Sequence, residues 1–404
     1  MLGVIEDLLI GTPKSDRRLK RFEKKVLNKT KLMHDDIIAW AEKMSLKKID
    51  EKELIFSTDP IVKQGYLLRK KIITEYKDKL KGTKIRMLIH YPGDEISIAG
   101  KSLFMNLAKG LSHIGIKVCL MPFTSNINNY LNKFKPNFFI SSDDSSYLAK
   151  IEWDKLIKYK KKTNLKIGLT TTSNIKNSDR NLIKNRVNWG QKNGVDFYYS
   201  FWTKEYITSN YEYSPYFKNN YRIISVEFGA NIFKYFLVPG IKKDLDYIFL
   251  GSSNRRKRPR YHLYFTEIFK NHYGFYDGPE WQISKNSTIN FDRDKFIYSR
   301  AKVGLNLETE NRINNANELN ERTYTLAAMG IPQLIDNVRL LPKRFSENAF
   351  FIADSPKEYF QLFKFILNNP EEAQNRALLA QTETFERHTI LHRAESFVQD
   401  LLSL

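Results

Sequence analysis

Apolar residues recur at three-to-four spacing through the first eighty positions, and from Lys84 onward they gather into short runs separated by turns. Phe22 and Val26, then Met33, Ile37, Trp40 and Met44, predict amphipathic helices, and Tyr66-Leu67-Leu68 opens another that runs to about Leu80. Asp59-Pro60 breaks the pattern, because proline disfavours the α region at the residue before it. Lys81-Gly82-Thr83 reads as a linker. Residues 84–91 (KIRMLIHY) then predict a buried strand, Pro92-Gly93-Asp94 a turn, 96–115 a helix and 116–123 a second strand. Strand, turn, helix and strand within about 40 residues make a βαβ unit, which implies parallel pairing and a right-handed crossover. Further strands are expected at 136–143, 165–173, 195–201 and 221–229, alternating with helical stretches.

A second series follows Pro239-Gly240. Strands are expected at 245–253, 301–308, 331–336 and 349–354, with helices around 264–270 and 320–329. Ser355 and Glu358 have the spacing of a capping box at the start of another helix. The expected fold class is α/β: two Rossmann-like domains behind an N-terminal helical extension. The expected boundaries are 1–82 for the extension, 83–238 for the first domain, 239–385 for the second, and 386–404 for a C-terminal helix packing back on the first. A hinge is expected near 236–242. Ligands of such sheets lie at the carboxyl ends of the strands, here in an interdomain cleft.

Composition narrows the setting. The 404 residues are 42% hydrophobic and 13% aromatic, which excludes global disorder, while 66 Lys+Arg against 45 Asp+Glu leave a net +21. Such an excess favours polyanionic surroundings: phosphorylated substrates, an anionic membrane surface or nucleic acid. The abundance of Lys, Asn and Ile also fits compositional drift. One cysteine, Cys119, rules out an intrachain disulfide and any structural zinc site built on several cysteines. The opening MLGVIEDLLIG lacks the basic n-region of a signal peptide, and no apolar run approaches the length of a membrane span. A cytoplasmic location is expected, with any membrane contact peripheral, on the inner face.

Several groups could carry chemistry. Arg255, Arg256, Lys257, Arg258 and Arg260 follow a Gly251-Ser252 turn at a strand's carboxyl end, where guanidinium groups could meet a diphosphate bidentately. A run of charge is more often a solvated face. Arg322 is a second phosphate candidate, or else a helix-surface partner of Glu318 at i−4. His90, Asp94 and Glu95 sit in a strand-to-helix loop where a general base could act, although acidic residues there also partner the helix dipole. The pairs Asp244/Asp246 and Asp292/Asp294 read as incidental, so no metal is expected. His388 and His392 are spaced i,i+4 but lack the glutamate of HExxH, and read as a final helix with one histidine facing the core. Without GxxxxGK[ST] or GxGxxG, neither ATP hydrolysis nor dinucleotide redox chemistry has support.

The segment LNERTYTLAAMGIPQLID (319–336) brings these together. Arg322, Gly330, Pro332 and Asp336, then Asn369-Pro370-Glu371-Glu372, then His388-Thr389 and Arg393, match in order and spacing the rear half of a known family. The chain resembles glycosyltransferases of the GT-B clan, of the group 1 type that includes the CgeB-like spore-maturation proteins. FLGSSNRRKR (249–258) and FGANIFKYFLVPG (228–240) are similar to the opening of that family's second domain and the connector before it. The resemblance implies transfer of a sugar from a nucleotide-diphosphate donor, as substrate rather than cofactor, to a glycan or lipid-linked acceptor. Polysaccharide biosynthesis is the expected setting. It implies donor contacts at Gly251, Ser252, Arg255, Arg256, Arg258, Asn317, Glu318, Arg322, Thr325 and Gly330. Many retaining members carry two glutamates with seven residues between them, whose positions are Asn317 and Thr325 here, with Glu318 one residue out of register. The resemblance therefore does not fix the stereochemical outcome. A nucleic-acid-binding or DNA-modifying enzyme and a non-catalytic scaffold are the alternatives.

Overall fold

The computed structural model describes residues 34–93, 98–171, 180–253, 257–278, 281, 291–308 and 318–404. These fall into two compact units, one of residues 72–229, 318 and 388–404, the other of residues up to 71, 230–308 and 319–387.

Six parallel strands form the first unit's sheet: β1 Arg86–Tyr91, β2 Lys117–Pro122, β3 Phe138–Ser141, β4 Lys166–Thr170, β5 Phe197–Ser200 and β6 Ile223–Ser225. Their order is β2-β1-β3-β4-β5-β6. All the strands expected from 84 to 229 are present, each a few residues shorter than expected. The helix Ile98–His113 connects β1 to β2, as the βαβ reading requires. The C-terminal helix Ile390–Leu402 packs against it, and Gly110 makes the approach possible, since a Cβ there would lie 2.7 Å from the Ile390 carbonyl oxygen. Thr389 caps that last helix through its hydroxyl, with His392 completing the capping box.

The second unit's sheet holds β7 Leu245–Leu250, β8 Gly274–Asp277, β9 Ala301–Leu305, β10 Gln333–Asp336 and β11 Phe351–Ala353, in the order β11-β10-β9-β7-β8 and all parallel. The edge strand β8 escaped the sequence pattern: Gly-Phe-Tyr-Asp is only four residues long and shows no alternation. Along β7, Tyr247 and Phe249 enter one core with Phe265 and Tyr359, while Ile248 and Leu250 face another. This alternation places two apolar layers on opposite faces of the sheet.

The second of those layers contains a departure from expectation. Residues 34–71 are not an extension apart from the sheets. Ile37, Ala41, Leu54, Ile61, Val62 and Tyr66 pack with Leu245, Ile248, Phe275, Met329 and Ile331 in one core. Each such large side chain contributes roughly 1.5–3 kcal/mol by leaving water, so the predicted apolar stripe covers the sheet. Asp59-Pro60 starts a helix rather than breaking one: Pro60 is the first residue of Pro60–Tyr76, and the Asp59 carboxylate accepts a bond from the Ile61 amide at 2.9 Å. Ser355 caps Pro356–Asn368 through the Glu358 amide, as expected, but the Glu358 carboxylate reaches Asp354, one residue before the cap.

Candidate active site

The carboxyl edge of the second sheet is organised around Gly251. Its amide donates to the Asp277 carbonyl at 2.9 Å, and the Trp281 indole donates to its carbonyl at 2.6 Å. Gly278, at φ +140°, passes so close that a Cβ would stand 2.5 Å from the Gly251 oxygen. Arg322, second residue of the helix Glu321–Ala328, lies against this turn. Its Nε donates to the Leu250 carbonyl at 2.8 Å, one terminal nitrogen to the Asn306 side-chain oxygen at 3.0 Å, and its guanidinium sits 4.2 Å over the Phe249 ring. A Cβ on residue 251 would fall 2.0 Å from the other terminal nitrogen. Glycine is therefore what lets a fixed cation border the strand's end. Asn306, which the sequence did not single out, also accepts from Asn320 at 2.8 Å and donates to Gln333 at 2.6 Å. Asn320 in turn caps the arginine's helix through the Thr323 amide. Ser252 receives a bond from Lys257 at 3.3 Å.

The basic run divides. Arg258 is buried and clamps the turn, donating to the Ser253 carbonyl at 3.0 Å and hydroxyl at 3.4 Å. Arg260 binds Asp336 at 2.7 Å and covers the Tyr264 ring. Arg258, expected to meet a diphosphate, is instead buried against Ser253, and Arg260 is engaged by Asp336. Arg255 and Arg256 lie outside the described residues. Asp336 also accepts from the Glu308 amide at 3.1 Å, and burial pushes its carboxyl up to about 6 despite Arg260. Thr325 is buried one turn further along the helix from Arg322. Gly330, at φ +62°, belongs to the opposite edge: it precedes β10, and a Cβ there would meet Ile61 at 2.0 Å. Its glycine serves packing and the helix end, not a ligand at the carboxyl edge. Glu318 is buried just ahead of Asn320, and Asn317 lies outside the described residues.

The remaining acidic and imidazole pairs have structural partners. Asp244 binds Arg300 through both oxygens at 2.8 Å, and Asp246 binds Lys302 at 2.8 Å. His388 contacts Arg393 at 2.9 Å. Among the described residues, no group of three or more His, Cys, Asp or Glu side chains is placed to hold a metal ion.

In the first unit, His90 is fully buried in β1, stacked on Phe123 at 4.6 Å and bonded through Nδ1 to Ser141 at 2.9 Å. Burial lowers its pKa to about 3, so the ring is neutral and sealed within the sheet. The expectation of a catalytic base at His90 is corrected: this is a core residue. Asp94 and Glu95 lie outside the described residues. A cleft of about 280 Å3 does open at the carboxyl ends of β3, β4 and β5, lined by Ser142, Asp143, Thr170, Thr171, Ser200 and Trp202, with Arg186 from the helix Arg180–Lys192. Asp143 is only 5% exposed. The sequence signal for it was available: Asp143 closes the predicted strand 136–143, at the end where parallel sheets bind ligands.

Residues 255–399 match the family described as Glycosyl transferase-like. Among curated proteins, none matches the chain. The fold is similar to that of T4 phage BGT, solved with its UDP-glucose substrate, at 15% identity and a TM-score of 0.51, over 78% of this chain and 98% of that one. The DNA modifying enzyme beta-glucosyltransferase aligns at 14% identity and a TM-score of 0.51, over 79% of this chain and all of the other. Sucrose-phosphate synthase from Thermosynechococcus elongatus aligns at 10% identity and a TM-score of 0.50, over 79% and 99%. Residues 255–399 thus carry a glycosyl transferase-like sequence, and the chain has a two-sheet α/β fold of the GT-B kind.

Proposed function

We propose that the protein transfers a sugar from a nucleoside diphosphate, with uridine diphosphate as the first candidate, to an acceptor hydroxyl without a metal ion. In that reaction the bond from the anomeric carbon to the diphosphate breaks and its electron pair leaves on phosphate oxygen. The acceptor oxygen forms the new bond, and its proton passes to a base. The leaving group carries about two negative charges, so the site must present fixed donors where that charge develops. One observation supports the reading above the others: Arg322 is held against Gly251 at the carboxyl edge of the second sheet, inside the glycosyl transferase-like segment. Two of its five N–H groups serve Leu250 and Asn306, and the nitrogen beside Gly251 is in neither bond. The UDP-glucose bound by the fold relative supplies the choice of nucleotide. A reducing cytoplasm as the workplace and surface glycan assembly as the process belong to the same proposal.

Titration calorimetry with UDP tests it, with and without EDTA. Arg322→Ala should weaken UDP by about 10- to 100-fold, the range expected for losing a charge-assisted bond, and EDTA should leave the wild-type affinity as it was. An unchanged UDP affinity in Arg322→Ala overturns the assignment.

A second reading, action on nucleic acid, draws on the net charge of +21.

A further inference from the structure

We propose that the cleft at the carboxyl ends of β3, β4 and β5 takes an uncharged sugar ring as the acceptor, with Asp143 accepting hydrogen bonds from its hydroxyl groups. The inference rests on the glycosyl-transfer reading and names the class of molecule that receives the sugar.

Three observations carry it. First, the lining suits a polyol. Hydroxyl groups of Ser142, Thr170, Thr171 and Ser200 converge from three strand ends, beside the side chains of Tyr147 and Trp202. A sugar ring presents both hydroxyl edges and an apolar C–H face, and this wall offers a counterpart to each. Second, one polar group here is unsatisfied: a terminal nitrogen of Arg186 is buried with no hydrogen-bond partner among the described residues. Buried polar groups in folded proteins are almost always paired. A ligand carrying several hydroxyl groups could accept from the guanidinium. Third, the lining has no excess of positive charge. Two carboxylates, Asp143 and the exposed Asp144 that caps the helix Ser145–Leu148, border the cleft with one guanidinium, Arg186. A phosphate group would face Asp143 at low dielectric. The volume of about 280 Å3 lies at the small end of ligand pockets, which fits one ring or the terminal residue of a chain.

The test uses the full-length protein and three groups of probes. The first is the methyl β-glycosides of glucose, galactose, mannose and N-acetylglucosamine. Glucose 6-phosphate and a duplex oligonucleotide are the other two. Binding is read by saturation-transfer NMR and calorimetry, with UDP titrated in parallel. At least one glycoside should bind more tightly than glucose 6-phosphate or DNA. Asp143→Asn should weaken that glycoside by at least about tenfold and Thr171→Val by less, both leaving UDP affinity and the melting temperature near wild type. The two substitutions guard against one of them unfolding the unit. Tighter binding of the phosphate or the duplex, no glycoside binding, or a glycoside affinity indifferent to both variants overturns the inference while leaving a UDP-dependent transferase intact. Glycoside binding with no UDP binding instead overturns the transfer reading and, with it, the role of acceptor.

Discussion

Gly251 and Arg322 work as a pair, and each explains the other's identity. The guanidinium reaches the strand end because residue 251 has no Cβ, and the turn stays in place because the Gly278 backbone and the Trp281 indole hold it. Gly251→Ala should therefore act through the arginine. A methyl group 2.0 Å from its terminal nitrogen pushes a flexible side chain aside, so UDP affinity should fall as in Arg322→Ala with little change in melting temperature. A normal UDP affinity in Gly251→Ala would separate the two residues. His90 shows the opposite case, a residue whose position in the loop suggested chemistry and whose burial removes it. Its pKa is about 3 in the fold against an ordinary 6.5. Between those values the unfolded chain binds the extra proton, so stability is lost as pH falls below about 6.5. His90→Phe, which keeps the stack on Phe123, should shed that acid sensitivity while transfer continues. Loss of transfer in a folded His90→Phe would restore the catalytic assignment.

At the scale of elements, the helices preceding the first sheet and the helix Glu321–Ala328 define the second unit's interior. Gly330 ends that helix in a left-handed conformation and leaves room for Ile61 from Pro60–Tyr76. Gly330→Ala meets both obstacles, strain and overpacking, and should cost about 2–4 kcal/mol, read as a fall in urea midpoint. The helix Phe291–Ser299 carries another measurable effect. Asp294 is buried beside Arg293 at 3.3 Å, and burial, opposed by Arg293 and reinforced by Asp277, raises its carboxyl to about 7. A raised acid pKa means the folded state holds the proton longer than the unfolded one. This group's contribution is therefore lost as pH climbs from about 4 to about 7. Asp294→Asn should melt higher than wild type at pH 8 and close to it at pH 5. A variant less stable at pH 8 would show that the Arg293 bond outweighs burial.

For the whole molecule, a net charge of +21 predicts association with any polyanion at low ionic strength. Duplex DNA should shift in a gel at about 50 mM salt and be released by about 200 mM, the behaviour of phosphate contacts without base readout. Retention at the higher concentration, or glycosylation of the duplex, would move the acceptor from sugar to nucleic acid. A UDP concentration a hundredfold above its dissociation constant should stabilise the fold by about 2.7 kcal/mol, seen as a rise in melting temperature.

Much of this was legible along the chain, for a physical reason. Alternating strands and helices, the Ser355 and Gly330 helix signals and the shift of pattern at Lys84 depend on neighbours within a few residues, and local sequence carries them. The pairing of the rear segment with glycosyl transfer was readable in the same way, from Arg322 to Arg393. Which arginines could meet a ligand was not readable. Arg258, Arg260 and Arg322 look alike in one dimension, and only the positions of Ser253, Asp336 and Gly251 tell them apart. Nor could the sequence show that Ile37 and Ile61 cover a sheet beginning some two hundred residues later, or that His90 points into a core while Asp143 lines a cleft. Burial and partnership are properties of contacts between distant parts of the chain, and folding alone brings those parts together.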